Sequence, residues 1–332
     1  MSGKGHARRP GSTRIVLPAL TGGCYRRGMA SVTPLGLPQL LLALVVVTVW
    51  GTNFVVIEWA LGDLPPLLFA GLRFLFAFLP LVLFVRRPAV PWHNLAGYGL
   101  LIGAGQFGVM YWAMQREITP GLASLVVQTQ VFFTIGLSML VARERLARFQ
   151  WLALALGVLG IVVIAVNTDG STTSLGLAAV LFAAASWAVA NLVARAAGSV
   201  NTVAYVVWSS LFGAAALLAA SLVLEGWGQM AGAVVSARPG TWLAVLWQSA
   251  GNTLFGYAAW AWLLARYPAA TVSPIALLVP VFGMGSSAWL LGEPLPAWKL
   301  LAAALVVTGL ALNTLWPRLR EELRKRRRAA LH

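Results

Sequence analysis

Residues 39–57 read QLLLALVVVTVWGTNFVVI, nineteen positions without a charge. A helix needs about 20 apolar residues to cross the hydrocarbon core of a bilayer. Nine further stretches repeat the pattern, at 64–85, 95–115, 121–142, 150–166, 175–194, 202–224, 242–265, 270–291 and 298–316. All are too long for barrel strands. Backbone groups in lipid must be satisfied within the segment, so each stretch is expected to be a helix. The fold class expected is all-α integral membrane, with ten transmembrane helices.

The hydrophobic fraction is 59% and only 10% of residues are charged, which excludes an ordinary soluble domain. A net charge of +15 in a soluble protein would suggest nucleic acid. Here the charge alternates with the spans. Of 24 lysines and arginines, 20 fall on the side that holds both termini and three, Arg116, Arg238 and Lys299, on the other. The last, Arg73, lies inside a span. This asymmetry predicts a multi-pass inner (plasma) membrane protein with both termini cytoplasmic. The basic run Arg324–Arg328 then reads as an anchor on anionic lipid headgroups; no aromatics interleave it for base stacking, so no nucleic-acid partner is expected. Residues 1–38 are expected to form a cytoplasmic segment, largely disordered, its first 28 residues polar, basic and Gly-rich, and residues 317–332 a basic cytoplasmic tail. Cys24 is the single cysteine and permits neither an intrachain disulfide nor a cysteine metal site.

The two halves resemble each other. Trp50 and Asn53 in span 1 correspond to Trp187 and Asn191 in span 6. Ser124 and Glu144-x-Leu146 sit 149 residues before Ser273 and Glu293-x-Leu295, and Leu156 and Gly160 sit 149 before Leu305 and Gly309. Five spans in each half invert the second copy, so 39–166 and 175–316 are expected to be inverted repeats with a substrate site between them.

Trp50-Gly-Thr-Asn53-Phe, Gly71-Leu-Arg73-Phe74, Pro120-Gly-Leu-Ala-Ser-Leu-Val-Val-Gln128 and Leu277-Leu-Val-Pro-Val281, spread over 39–316, resemble the EamA family of the drug/metabolite transporter superfamily. Gln128-Thr-Gln130 stands where many members carry a proline, and is similar to the bacterial exporters of cysteine and O-acetylserine. The resemblance implies export of small amino acids or their derivatives by alternating access. Export of aromatic amino acids or other metabolites is the alternative within transport.

The substrate-binding residues expected are polar or aromatic positions within apolar spans: Asn53, Gln106, Gln128, Gln130, Asn191, Asn252, Tyr257, Trp50, Trp187 and Arg73. Uncharged amides can hold a zwitterion by hydrogen bonds; their other role is interhelical bonding. Gln128 and Gln130 are about 200° apart on a helix, so both cannot face one centre. Gln128, four residues after Ser124, is assigned to the substrate and Gln130 to an interhelical bond. Arg73 is either a counter-charge for a substrate carboxylate or a lock on helix-end carbonyls or Glu58. Pro274 and Pro280 are expected to kink span 9 and to serve gating. Ala153, Gly157 and Gly160 form a small-residue face suited to helix packing; a homo-oligomer is also compatible with the sequence.

No Asp or Glu lies well inside a span, Glu58 being borderline, which disfavours cationic-drug antiport and a buried proton carrier. No histidine falls within a span and no Gly-x-x-x-x-Gly-Lys loop is present, so no metal, cofactor, direct ATP use or catalytic residue is expected. An integral-membrane enzyme, the reading from another class, lacks the nucleophile–base pair it needs.

Overall fold

The computed structural model describes residues 35–142, 147–167, 171–267 and 269–329. The N-terminal segment 1–34 and Glu144 lie outside these, as do the side chains of Arg324–Arg328. Among the described residues every element is a helix, and none is a strand.

The chain runs through α1 (Leu37–Leu61), α2 (Pro66–Val82) and α3 (Trp92–Leu100), which passes through a π-helical segment, Leu101–Gly108, into α4 (Val109–Arg116). Next, α5 (Pro120–Val126) passes through a 3-10 turn, Val127–Thr129, into α6 (Gln130–Ala142). Helices α7 (Arg148–Val166), α8 (Ser174–Ala196), α9 (Thr202–Leu224) and the short α10 (Trp227–Ser236) follow. A second π-helical segment, Trp247–Phe255, joins α11 (Pro239–Leu246) to α12 (Gly256–Arg266). A second 3-10 segment, Ser273–Leu278, joins α13 (Ala269–Val272) to α14 (Val279–Leu291), and α15 (Ala297–Ala329) ends the described chain.

Seven of these helices are long and apolar enough to cross a bilayer: Leu37–Leu61, Pro120–Leu137, Arg148–Val166, Ser174–Ala196, Thr202–Leu224, Ser273–Leu291 and Ala297–Pro317. Pro66–Val82 is a shorter apolar helix. Large apolar side chains cover the outside, among them Trp151, Leu152 and Leu159 on α7 and Leu300 and Leu301 on α15. In water such a surface would aggregate; in lipid it is the expected exterior. The protein is a multi-pass membrane protein.

Local sequence sets the helix starts. Proline occupies the first turn of α1, α2, α5 and α11, where its missing N–H has no intrahelical partner to lose. Thr173 caps α8 by accepting from Gly176 N at 3.0 Å, and Asn201 caps α9 by accepting from Ala204 N at 3.0 Å. Glu225, just after α9, accepts from Leu67 N and Leu68 N at 2.7 and 3.1 Å, closing the orphan donors at the start of α2.

The interior is built from paired helices. α7 lies along α15, α2 along α9, α1 against α14, and α6 against α8. Phe54, Ile57, Phe69, Tyr111, Leu122 and Ile164 belong to one buried cluster. The face carrying Ala153, Gly157 and Gly160 is used within the chain, against Phe132 and α15.

Two sequence expectations change here. The stretch 270–291 is not one kinked α-helix. Pro274 opens the 3-10 segment and Pro280 sits in the first turn of α14, so the prolines mark a change of helix type. Lys299, counted among loop residues, is buried on the first turn of α15 and paired with Glu293 at 2.9 Å.

Candidate transport site

The motif Trp50-Gly-Thr-Asn53 sits where α1 crosses α14. A methyl group at Gly51 would meet Phe282 Cβ at 2.4 Å and Val279 O at 2.8 Å, so only glycine lets the two backbones approach this closely. Two positions on, Asn53 points into a polar network that is closed off from the surface. Asn53 Oδ1 accepts from Gln248 Nε2 at 2.7 Å, and Gln248 Oε1 accepts from the Tyr111 hydroxyl at 3.1 Å. Tyr111 in turn accepts from Arg73 Nη1 at 2.9 Å. Arg73 also donates Nε and Nη2 to Thr253 Oγ1 at 3.1 and 3.0 Å, and Thr253 donates to Gln248 O at 2.9 Å. The network therefore ties α1, α2, α4 and the second π segment together. Arg73 and Gln248 are both 0% exposed.

The π segment makes this closure possible. Gln248 and Thr253 are five residues apart, about 140° around an α-helix. Hydrogen bonding from i to i+5 turns them towards one face. The Arg73 guanidinium also lies 3.7 Å from the centre of the Phe107 ring, which the first π segment supplies. Arg73 engages neither Glu58 nor helix-end carbonyls; its partners are neutral hydroxyls.

The other expected residues fall into separate groups. Asn191 Nδ2 donates to Gln130 Oε1 at 3.3 Å, bridging α8 and α6. Gln128 is half-buried on the 3-10 turn, and no hydrogen bond joins it to that pair. Trp50 Nε1 donates to Asn252 O at 3.3 Å, and its ring packs on Trp260 at 5.3 Å and Tyr257 at 5.9 Å. Trp187 packs half-buried against the main core. Gln106 is 3% exposed, and its Oε1 is buried without a hydrogen-bond partner.

The binding residues expected from the sequence did not include Gln248, Thr253 or Tyr111. The run Gln248-Ser-Ala-Gly-Asn252-Thr253 held the signal: four polar residues within six positions of an apolar span. Sequence reasoning also missed a charged hub. Glu293 accepts from Thr119 Oγ1 at 2.5 Å, Gly121 N at 2.9 Å and Lys299 Nζ at 2.9 Å, so it caps α5 from the α14–α15 connection. Near it Glu58 keeps one carboxylate oxygen, Oε2, buried without a partner. At the same end, a groove of about 760 Å³ opens between Asp63, Trp112, Arg116, Glu225 and Gln229. Hydrogen bonds from Arg238 and Thr241 hold the Asp63 carboxyl down to about 2.

Similarity to known proteins agrees with this architecture. Over 289 residues the chain is 41% identical to a "Probable amino-acid metabolite efflux pump" of Salmonella typhimurium, covering 85% of this chain and 97% of that protein. A protein of the same description from Escherichia coli K12 is 40% identical over the same coverage. A solved crystal structure shares the fold, with a TM-score of 0.58 at 21% identity, over 86% of this chain and 99% of that one. Residues 37–166 and again 174–315 match one family description, so the chain belongs to the EamA-like transporter family and is a transporter rather than an enzyme.

Proposed function

We propose that this protein exports small amino-acid metabolites, cysteine- or O-acetylserine-like compounds first, across the inner membrane. The observation that carries the proposal is the buried network of Asn53, Arg73, Tyr111, Gln248 and Thr253, which joins side chains from both family-matching stretches. The description of the 41%-identical relative as an amino-acid metabolite efflux pump supports the substrate class.

The architecture proposed is ten spans in two inverted sets of five, rocking about the site to give alternating access. Several features support it. One family description matches twice in series. The π segments fall in the third and eighth spans and the 3-10 segments in the fourth and ninth. Span 1 packs on 9 and span 6 on 4, span 2 on 7 and span 5 on 10, a pattern unchanged when the halves are exchanged. At the α7–α15 contact a methyl group on Gly160 would meet Ala302 O at 3.1 Å, and one on Gly309 would meet Ala153 O at 2.7 Å. These two pairs exchange under the 149-residue shift found in the sequence. Gating falls to the segment of Pro274 and Pro280, where helix type changes beside α1.

Counterflow in proteoliposomes tests the function. Labelled cysteine or O-acetylserine should exchange, and a cationic dye should not. Exchange of the dye alone, or of none of the amino-acid metabolites including phenylalanine, would overturn the reading.

A further inference from the structure

We infer that Arg73 binds the carboxylate of the translocated substrate, so that the transporter recognises compounds by a free carboxylate rather than by an amine. The inference rests on the proposal that the central network is the transport site.

The molecule treats its two deeply buried cations differently. Lys299 has a carboxylate, Glu293, at 2.9 Å. Arg73 has none: among the described residues the ion pairs are Lys299–Glu293 and Arg238–Asp63. An uncompensated charge away from water is costly unless something neutralises it. A guanidinium carries five N–H donors in a planar fork. The structure engages Arg73 through Nε, Nη1 and Nη2 with two hydroxyls, Thr253 and Tyr111. Two N–H groups are left over. A lock between α2 and the π segment would need only neutral donors, so locking alone does not account for the charge.

A second observation lies beside it. Arg73, Tyr98, Ser209, Ser210, Thr253 and Tyr257 line a small cavity of about 10 Å³. Ser209 is 1% exposed, and its hydroxyl is buried without a hydrogen-bond partner. The space suits about one water molecule. In this conformation the site is therefore closed, and the two residues with unused groups, Ser209 with its orphan hydroxyl and Arg73 with its spare donors, line the same gap. When the helices part, a carboxylate can take both donors in the bidentate geometry that arginine favours, and Ser209 can donate to it.

The test uses the purified full-length transporter. Its thermal stability and labelled-cysteine counterflow are measured against acetate, glycine, cysteine and phenylalanine, and against the carboxylate-free cysteamine and phenethylamine. Carboxylates should raise Tm and compete, while the matched amines should need about tenfold higher concentration or more. Arg73→Gln should remove that preference, and Arg73→Lys should restore it only in part because the fork is lost. Amines acting as well as carboxylates on the unmodified protein would overturn the inference, whether or not Arg73→Gln folds. So would the absence of any carboxylate effect, or a carboxylate preference that survives in folded Arg73→Gln. If cysteine is not exchanged while other carboxylates still protect through Arg73, the amino-acid reading fails and this one stands.

Discussion

A buried amide either bonds its neighbours or waits for a ligand, and the amides of this protein divide along that line. Gln130 is bonded to Asn191, and Gln248 to Asn53 and Tyr111, whereas the carbonyl oxygen of Gln106 is buried without a partner and the half-buried Gln128 side chain is bonded to no other described residue. We expect Gln128→Ala to weaken counterflow about fivefold at matched protein level, the value of one lost hydrogen bond, and Gln130→Ala to weaken it less. Equal or reversed losses would remove Gln128 from the substrate site. Gln106→Met replaces an orphan acceptor with an apolar chain of similar length. It should leave Tm unchanged or raised while transport falls, and a lowered Tm with unchanged transport would make Gln106 structural. Asn53, Gln130, Asn191 and Arg73 were legible in the sequence because a polar residue inside an apolar span is its own signal. Gln248 and Thr253 carried the same polar signal, but their meeting on one face was not legible, since an α-helical period sends them to different faces and nothing in their spacing announces a π turn.

Elements in this molecule are tied at their ends by acids that reach across from other elements. Glu293 caps α5 and holds the buried Lys299, so removing the lysine leaves an uncompensated carboxylate. Lys299→Met should lower stability by about 3 kcal/mol, and adding Glu293→Gln should return part of it. A double variant less stable than Lys299→Met would show that the cap on α5 outweighs the ion pair. Asp63 ties the α1–α2 connection to the start of α11 through Arg238 and Thr241. Its folded value near 2 lies below the ordinary carboxylate value of about 4, so its contribution is complete above about pH 4 and is lost as pH falls through 2. Asp63→Asn should therefore lower Tm slightly at pH 7, with the difference vanishing near pH 2. The effect is small because the Arg238 side chain is 72% exposed. That a proline opens a helix was legible at Pro66, where the apolar run of span 2 begins, and the same device stands at Pro38, Pro120 and Pro239. The fate of Pro274 and Pro280 was not legible, because a proline in an apolar run reads alike as a kink or as the first turn of a new helix.

At the scale of the whole molecule, charge that remains free to interact with the membrane surface predicts the orientation. Pairing reduces the three basic residues on the side away from the termini. Of the three, Lys299 is buried against Glu293 and Arg238 is paired with Asp63, which leaves Arg116. On the opposite side α15 continues as one helix past Pro317 to Ala329, carrying the basic run of the tail beyond the apolar part of the helix. Anionic headgroups of the cytoplasmic leaflet attract such a run, by about 1 kcal/mol for each residue near the surface. Translocating it would oppose both that attraction and the rule that basic loops stay inside. A phosphatase fused after His332 should therefore be inactive, and one fused to a chain ending at Ser236, in the connection that carries α10, should be active. The opposite pattern would invert the protein, place the groove beside Asp63 and Glu225 in the cytoplasm, and turn that end from the exit of an exporter into its entrance.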